Sequence, residues 1–267
     1  MAPALEPNKA KIAKRVVEVF EFFNENAQQA TVMDIVRRYG RPQSSTSELL
    51  ATLVELGLLY KDSRSRYYSP TPRLAALGIS AQPELIRNGH LFAFMDRLAQ
   101  TTRNSVGLFG MVGTQVQIFR LVPGPEPVMR DIGYGACEQL AASAAGLLLL
   151  STLPAEQANR ILWRLNAEAP PARKFNPAET REQVSAMRRN GHATGPAGFC
   201  PGVQMAATLL PRTGTEHPLA LGMMYPATAT VDAEALVATL NRSLAQCNAS
   251  EVEYPATPAA APFMMAV

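Results

Sequence analysis

Cysteine, histidine and tryptophan are scarce in this chain: 267 residues include three Cys, three His and one Trp. Cys137, Cys200 and Cys247 lie far apart, without a CxxC pair or a Cys/His ligand spacing, so neither a disulfide framework nor a zinc site is expected. His90, His192 and His217 are scattered and read as surface or packed side chains rather than catalysts. No GxSxG elbow, Walker loop, HExxH pair or paired acidic motif occurs. The stretch GYGACE offers glycines for a dinucleotide loop, but its sixth position is Glu138, whose carboxylate would repel a pyrophosphate at a helix N-terminus. These absences argue against an enzyme and against a resident metal or cofactor. Long apolar runs are missing too. LAASAAGLLLLSTL, Leu140 to Leu153, is interrupted by serines and falls short of the roughly 18–20 residues of a membrane span, so it reads as a buried helix. The first stretch runs into Lys9, Lys11, Lys14 and Arg15 with no apolar region behind them, which gives no signal peptide. A cytoplasmic protein is expected.

With 47% hydrophobic and 18% charged residues, the chain has the material for a real core. Its small positive excess is localised. Residues 1–80 carry 11 Lys and Arg against 8 Asp and Glu, while residues 81–267 carry 14 against 14. In that basic part, Ile12, Val16, Val19, Phe20 and Phe23 recur at helical spacing between Lys9 and Asn26. Thr31 can cap a second helix with Asp34 as its partner, and Val32, Ile35, Val36 and Tyr39 supply its buried face before Gly40. After a very short connection, Pro42 suits the first turn of a third helix. There RPQSSTSELLATLVELG has a polar front and a stripe of Leu49, Leu50, Leu53 and Leu56 that Gly57 terminates. LLYKDSRSRYYS then gives two short strands around the polar turn Lys61 to Arg66. Three helices followed by a basic-tipped hairpin match a winged helix-turn-helix.

Residues 83–101 read as a long helix linking two domains. Beyond it, NSVGLFGMVGTQVQIFRLVPG predicts a hairpin turning at Val112 to Thr114, and PVMRDIGYG a third strand. Helices are expected over Pro154 to Asn166, 177–190 and 232–248, and strands in GVQMAATLLP and HPLALGMMYP. The class is α+β with an antiparallel sheet. PATPAAAPFMMAV reads as a disordered tail.

Taken in order, these blocks resemble the IclR type of transcriptional regulator, over about residues 9–248. SSTSELLATLVELGLLYKDSRSRYY is similar to that family's Ser/Thr-rich recognition helix and wing, GYGACEQLAASAAGLLLLSTLP to its Gly-rich turn and Gly-led helix, and MRRNGHATGPAGFCPGVQMAATLL to its Gly-x-x-Cys block. The resemblance implies a winged helix-turn-helix over 1–80, a linker helix over 81–102, a GAF-like effector-binding domain over 103–249 and a tail over 250–267. It also implies a ligand-responsive repressor or activator of catabolic genes, with operator DNA, a small-molecule effector and other copies of the chain, as homodimer or homotetramer, for partners. Gln43, Ser44, Ser45, Thr46 and Ser47 are then the base-reading candidates, because small polar side chains let a helix approach the major groove. Arg37, Arg38, Arg41, Lys61, Arg64 and Arg66 are the phosphate candidates, with Thr31 at the start of the second helix. Glu48 stands where the family has an arginine.

The same resemblance places the effector among Leu108, Met129, Ala144, Ala145, Val203, Met205, Met223 and Tyr225. Met205 takes the place of the family's cysteine, Met223 and Tyr225 that of two serines, Gly195 that of an aspartate and Leu147 that of a lysine. Strand alternation puts Met223 and Tyr225 on one face. A lining of Val203, Met205, Met223 and Tyr225 lacks the hydroxyls and charges suited to a small polar acid, and methionine sulfur adapts to aromatic rings, which points to an apolar or aromatic effector. The alternatives are a filled core with ligand-independent DNA binding, or an enzyme in the second domain.

Overall fold

Helix ends in the first part of the chain follow its capping residues. The structure, a computed structural model, describes residues 7–23, 28–79, 90–125, 132, 135–211 and 217–249, and the chain divides into two compact units, Met1–Gln82 and Pro83–Val267. In the first unit, α1 spans Pro7–Phe22, α2 Val32–Tyr39 and α3 Gln43–Glu55. At α2 the Thr31 side chain accepts from the Asp34 N–H at 3.3 Å, while the Thr31 N–H donates to the Asp34 carboxylate at 2.8 Å, a complete capping box. The Thr31 hydroxyl also donates to that carboxylate at 2.7 Å, and these bonds hold the Asp34 carboxyl below the usual carboxylate range. Gly40, left-handed at φ 61°, ends the helix.

Pro42 lies one position earlier than the sequence suggested: it is the N-cap of α3 and offers its carbonyl rather than a side-chain cap. At the other end Gly57, at φ 68°, closes a Schellman turn in which Leu58 N–H donates to Leu53 O and Gly57 N–H to Val54 O, both at 2.9 Å. The chain thereby turns directly into β1, Leu59–Lys61, which pairs antiparallel with β2, Tyr68–Pro70. Ala30 adds a bridge to Tyr68, exchanging backbone bonds of 3.0 and 2.8 Å. Leu50 and Leu53 of α3 are buried with Val19, Ala30, Ile35, Leu59 and Tyr68, worth roughly 1.5–3 kcal/mol for each leucine. Arg73–Ile79 forms α4, which the sequence pattern did not signal.

The second unit holds α5, His90–Thr102; β3, Ser105–Val112; β4, Gln115–Val122; and β5, Cys137–Gln139. A 3-10 turn at Leu140–Ala142 leads into α6, Ala144–Leu150. Then come α7, Ala155–Glu168; a second 3-10 turn at Pro171–Arg173; α8, Pro177–Asn190; β6, His192–Pro196; β7, Val203–Leu209; β8, Leu219–Pro226; and α9, Ala233–Ala249. The strands form one antiparallel sheet in the order β5-β4-β3-β8-β7-β6. Residues of α6, α7 and α8 pack on one face with Phe109, Met205 and Met224, and those of α5 and α9 pack on the other with Leu108, Leu221 and Met223. The fold is α+β, as the sequence implied.

Differences from the sequence reading have local causes. HATGP has weak strand propensity, and it becomes β6 through its pairing with β7. The strand expected in PVMRDIGYG, the first part of the linker helix and the tail over 250–267 lie outside the described residues. Among the described residues no helix is long and apolar enough to cross a membrane. All seven residues of α6 are buried, and a Cβ on its Gly146 would fall onto the Leu140 carbonyl.

Thr31→Ala is expected to cost about 1 kcal/mol in chemical denaturation. The Asp34 carboxyl is lowered in the folded state, so its contribution is complete above the unfolded pKa and is lost as pH falls through the folded one; Asp34→Asn should flatten that acidic limb, and an unchanged limb would exclude the cap as its source. Gly146→Ala should destabilise the second unit by about 3 kcal/mol, the upper end of overpacking costs, and an unshifted melting temperature would contradict the close approach to Leu140.

Candidate functional site

Burial on one side of α3 decides what the other side offers. Thr46, Leu50 and Leu53 face inward, whereas Gln43, Ser44, Ser47, Glu48, Ala51 and Thr52 are exposed. Ser45 is half-buried and accepts a 3.2 Å hydrogen bond from Arg15 of α1. Thr46 is a correction to the base-reading set: it is 2% exposed, and its hydroxyl donates to Pro42 O at 2.8 Å, so it secures the first turn of the helix. Gln43, Ser44 and Ser47 keep exposed polar side chains.

The six candidate cations also separate. Arg41 grips Glu18 of α1 through two bonds, Nη2 to Oε1 at 2.7 Å and Nε to Oε2 at 3.3 Å, and Glu18 keeps 13% of its side chain exposed. A guanidinium held in this bidentate pair fastens the start of α3 to α1, which corrects its reading as a free phosphate ligand. Arg37 and Arg38, in the last turn of α2, are exposed. Lys61, Arg64 and Arg66 are exposed on the wing. Its turn is organised by Asp62, whose carboxylate accepts from Arg64 N–H at 2.8 Å and from the Ser65 hydroxyl at 2.7 Å. Those bonds, the Ser65 hydroxyl first, lower the Asp62 pKa. Thr31 has its hydroxyl engaged in the α2 cap.

Sequence reasoning missed Arg15 and Glu18. The available signal was a cation and an anion three residues apart on the same side of α1 as the buried Val19, facing the next elements instead of solvent.

In the second unit the expected effector set is split by the pleat. Met205 pairs with Met224 and Ala206 with Met223, so Met205 and Met223 point to opposite faces of the sheet. Ala144, Ala145, Val203 and Met205 lie on the α6 side with Phe109. Leu108 and Met223 lie on the α5 and α9 side, and Tyr225 packs with Ala206 and Val237 of α9, where burial raises its phenol pKa. Met223 and Tyr225 do share a face, but it is not the face of Val203 and Met205, and no single pocket is lined by all four. Met129 lies outside the described residues.

On the α6 side, Phe109 and Phe199 stack at 5.9 Å with ring planes 28° apart, and Met111, Leu121, Ile132, Phe199 and Cys200 remain partly exposed around the buried residues. Phe199 and Cys200 stand in GFCPG, inside the stretch similar to the Gly-x-x-Cys block, but nothing in their spacing gave their direction. Gly195, at φ 152°, approaches Ala144 at 3.7 Å from its would-be Cβ. A separate polar cleft of about 400 Å³ is walled by Glu138, Ala142, Arg173, Lys174, Phe175 and Gly198, with Arg173 paired to Glu138 at 3.2 Å.

A helix held by its leucines with a hydroxyl-rich front, two exposed arginines ending the preceding helix and a cationic wing make the first unit a winged helix-turn-helix, an arrangement suited to duplex DNA. Residues 13–63 match the IclR helix-turn-helix domain. That stretch is therefore an IclR-type helix-turn-helix domain. Solved structures similar to it include an IclR transcriptional regulator from Alicyclobacillus acidocaldarius, at 21% identity and TM-score 0.61 over 91% of this chain and 98% of that one. An IclR homolog from Microbacterium hydrocarbonoxydans, complexed with 4-hydroxybenzoate, matches at 21% identity and TM-score 0.62 over 91% and 100%. The Thermotoga maritima IclR matches at 17% identity and TM-score 0.58 over 92% and 100%. These likenesses establish the shared fold. No curated protein matches the chain.

Replacing Arg64 and Arg66 together by Ala should weaken binding to every duplex and reduce the slope of log affinity against log salt by about 2. Arg41→Gln should instead lower the melting temperature of the protein; a variant with unchanged stability and a reduced salt slope would return Arg41 to the phosphate contacts.

Proposed function

We propose that the chain regulates transcription of catabolic genes by binding operator DNA as a homodimer or homotetramer in the cytoplasm, under control of an apolar or aromatic small molecule. The observation that carries the ligand class is the Phe109–Phe199 stack beside Met205, with the partly exposed rim of Met111, Leu121, Ile132 and Cys200. These side chains offer ring faces, thioethers and alkyl groups, which suit a flat apolar or aromatic ligand better than a small hydroxy acid. The 4-hydroxybenzoate held by the Microbacterium hydrocarbonoxydans homolog supports the same class and supplies a first compound to try. Regulation then requires that the ligand bind the DNA-competent and DNA-incompetent arrangements with different affinity.

A second reading is favoured by the closeness of packing under that face. Phe109, Met205 and Met224 are fully buried, and the rings and thioethers of Phe109, Met205 and Met224 lie over Gly107 and Gly222, where a Cβ would meet them at 3.2 Å or less. In this reading the methionines and phenylalanines are core, and DNA binding is independent of any ligand.

Thermal-shift measurements with 4-hydroxybenzoate, benzoate and neutral aromatics, followed by operator binding with and without each stabilising compound, separate the two. A ligand present at 100 times its Kd stabilises the folded state by about 2.7 kcal/mol and should change operator affinity. Operator affinity unmoved by a compound that stabilises the protein would favour the filled core.

A further inference from the structure

The exposed front of α3 contains no cation. Gln43 to Glu55 holds two glutamates and neither lysine nor arginine, while positive charge stands on both sides of it, at Arg37 and Arg38 before and at Lys61, Arg64 and Arg66 after. Glu48 lies one helical turn beyond Ser44, and Ala51 follows three residues on, so these three share the exposed face with Ser47 beside them. Its i±3 and i±4 neighbours with exposed side chains are Ser44, Ala51 and Thr52, with Ser47 beside it, so Glu48 is a long side chain standing above short ones. Glu48 makes no side-chain hydrogen bond or ion pair among the described residues; the one bond there is from Thr52 to its backbone carbonyl.

We propose that Glu48 is a specificity-determining residue that reads a cytosine in the major groove. This rests on the DNA-binding reading of α3 given above. A carboxylate only accepts hydrogen bonds, and it is repelled by acceptors and by phosphates. Guanine presents two acceptors, N7 and O6, in the major groove, and thymine an acceptor and a methyl group. Adenine presents a donor beside an acceptor, whereas the cytosine edge presents the N4 amine alone. The flanking cations on α2 and the wing supply the attraction to the backbone that Glu48 opposes, so the helix front is left to discriminate between bases while the charge that holds the duplex comes from outside it. The short side chains around Glu48 let the helix approach closely enough for a glutamate to reach a base edge.

The test is selection of bound duplexes from a random library by the full chain, followed by affinity measurements on single-base variants of the selected site. The wild type should select a cytosine at one position of each half-site, and changing that pair to put guanine in its place should weaken binding about 5- to 150-fold, the effect of one good base contact. Glu48→Ala should erase the preference in that column and leave the other columns intact. Glu48→Gln should move the column toward adenine and Glu48→Arg toward guanine, following the bidentate pairings of those side chains. Identical columns for the wild type and Glu48→Ala would overturn the assignment while leaving sequence-specific binding standing. Loss of all columns together in Glu48→Ala would overturn it as well, by making Glu48 part of the framework. If the wild type selects nothing and binds no duplex even at low salt, the DNA-binding reading itself fails.

Discussion

Everything the first unit presents to solvent depends on the burial of Leu50 and Leu53 among Val19, Ala30, Ile35, Leu59 and Tyr68. Those two side chains fix the rotation of α3 about its own axis, and rotation decides which residues meet a groove. Polar contacts then fix its near end: Arg15 on Ser45, Arg41 on Glu18, and the Thr46 hydroxyl on the carbonyl of Pro42. The Schellman turn at Gly57 fixes the far end and sends the chain straight into the wing. A helix restrained at both ends and along its inner stripe offers its front as one rigid surface.

Charge is divided by task in this unit. Two of the arginines near α3 make contacts within the protein, Arg15 with a side chain of the helix and Arg41 with one of its support. The arginines at 37, 38, 64 and 66 and Lys61 face solvent at the margins. A net excess of three positive charges over the chain therefore understates how sharply the exposed cations flank one anionic helix front. Counting charges along the sequence located the basic region, but only the Glu18 contact showed that Arg41 is engaged in an ion pair within that region.

The first unit was legible because its signals are short-range. Thr31 with Asp34, Gly40 and Gly57 are caps whose partners lie within five residues, and the leucine stripe repeats at helical spacing. Thr46 escaped that reading because a buried threonine and an exposed one look alike in a Ser/Thr run; its place below the surface follows from sharing the inner stripe with Leu50. In the second unit, alternation correctly put Met223 and Tyr225 together, yet it could not relate β8 to β7. That relation depends on register, and here Met223 stands opposite Ala206 instead of Met205. One step of register moves a side chain to the other face of the sheet. The strand β3 adds a second obstacle, a register shift between Leu108 and Phe109 against β4 that leaves Phe119 without a partner on β3. Pairings made between distant segments carry no local mark in either strand.

The wing turn around Asp62 has a consequence for how binding would be divided between enthalpy and entropy. Arg66 holds a left-handed backbone at φ 59°, unusual for a residue with a side chain, and its N–H donates to Asp62 O at 3.0 Å while Asp62 N–H donates to Tyr67 O at 2.9 Å. Fixing the backbone of one loop residue costs roughly 1–2 kcal/mol. In this turn that ordering is completed on folding, before any duplex arrives, so only the side chains of Arg64 and Arg66 are left to come to rest. The wing thus behaves less like a loose basic arm that settles on its target than like a fixed bracket from which two flexible cations extend.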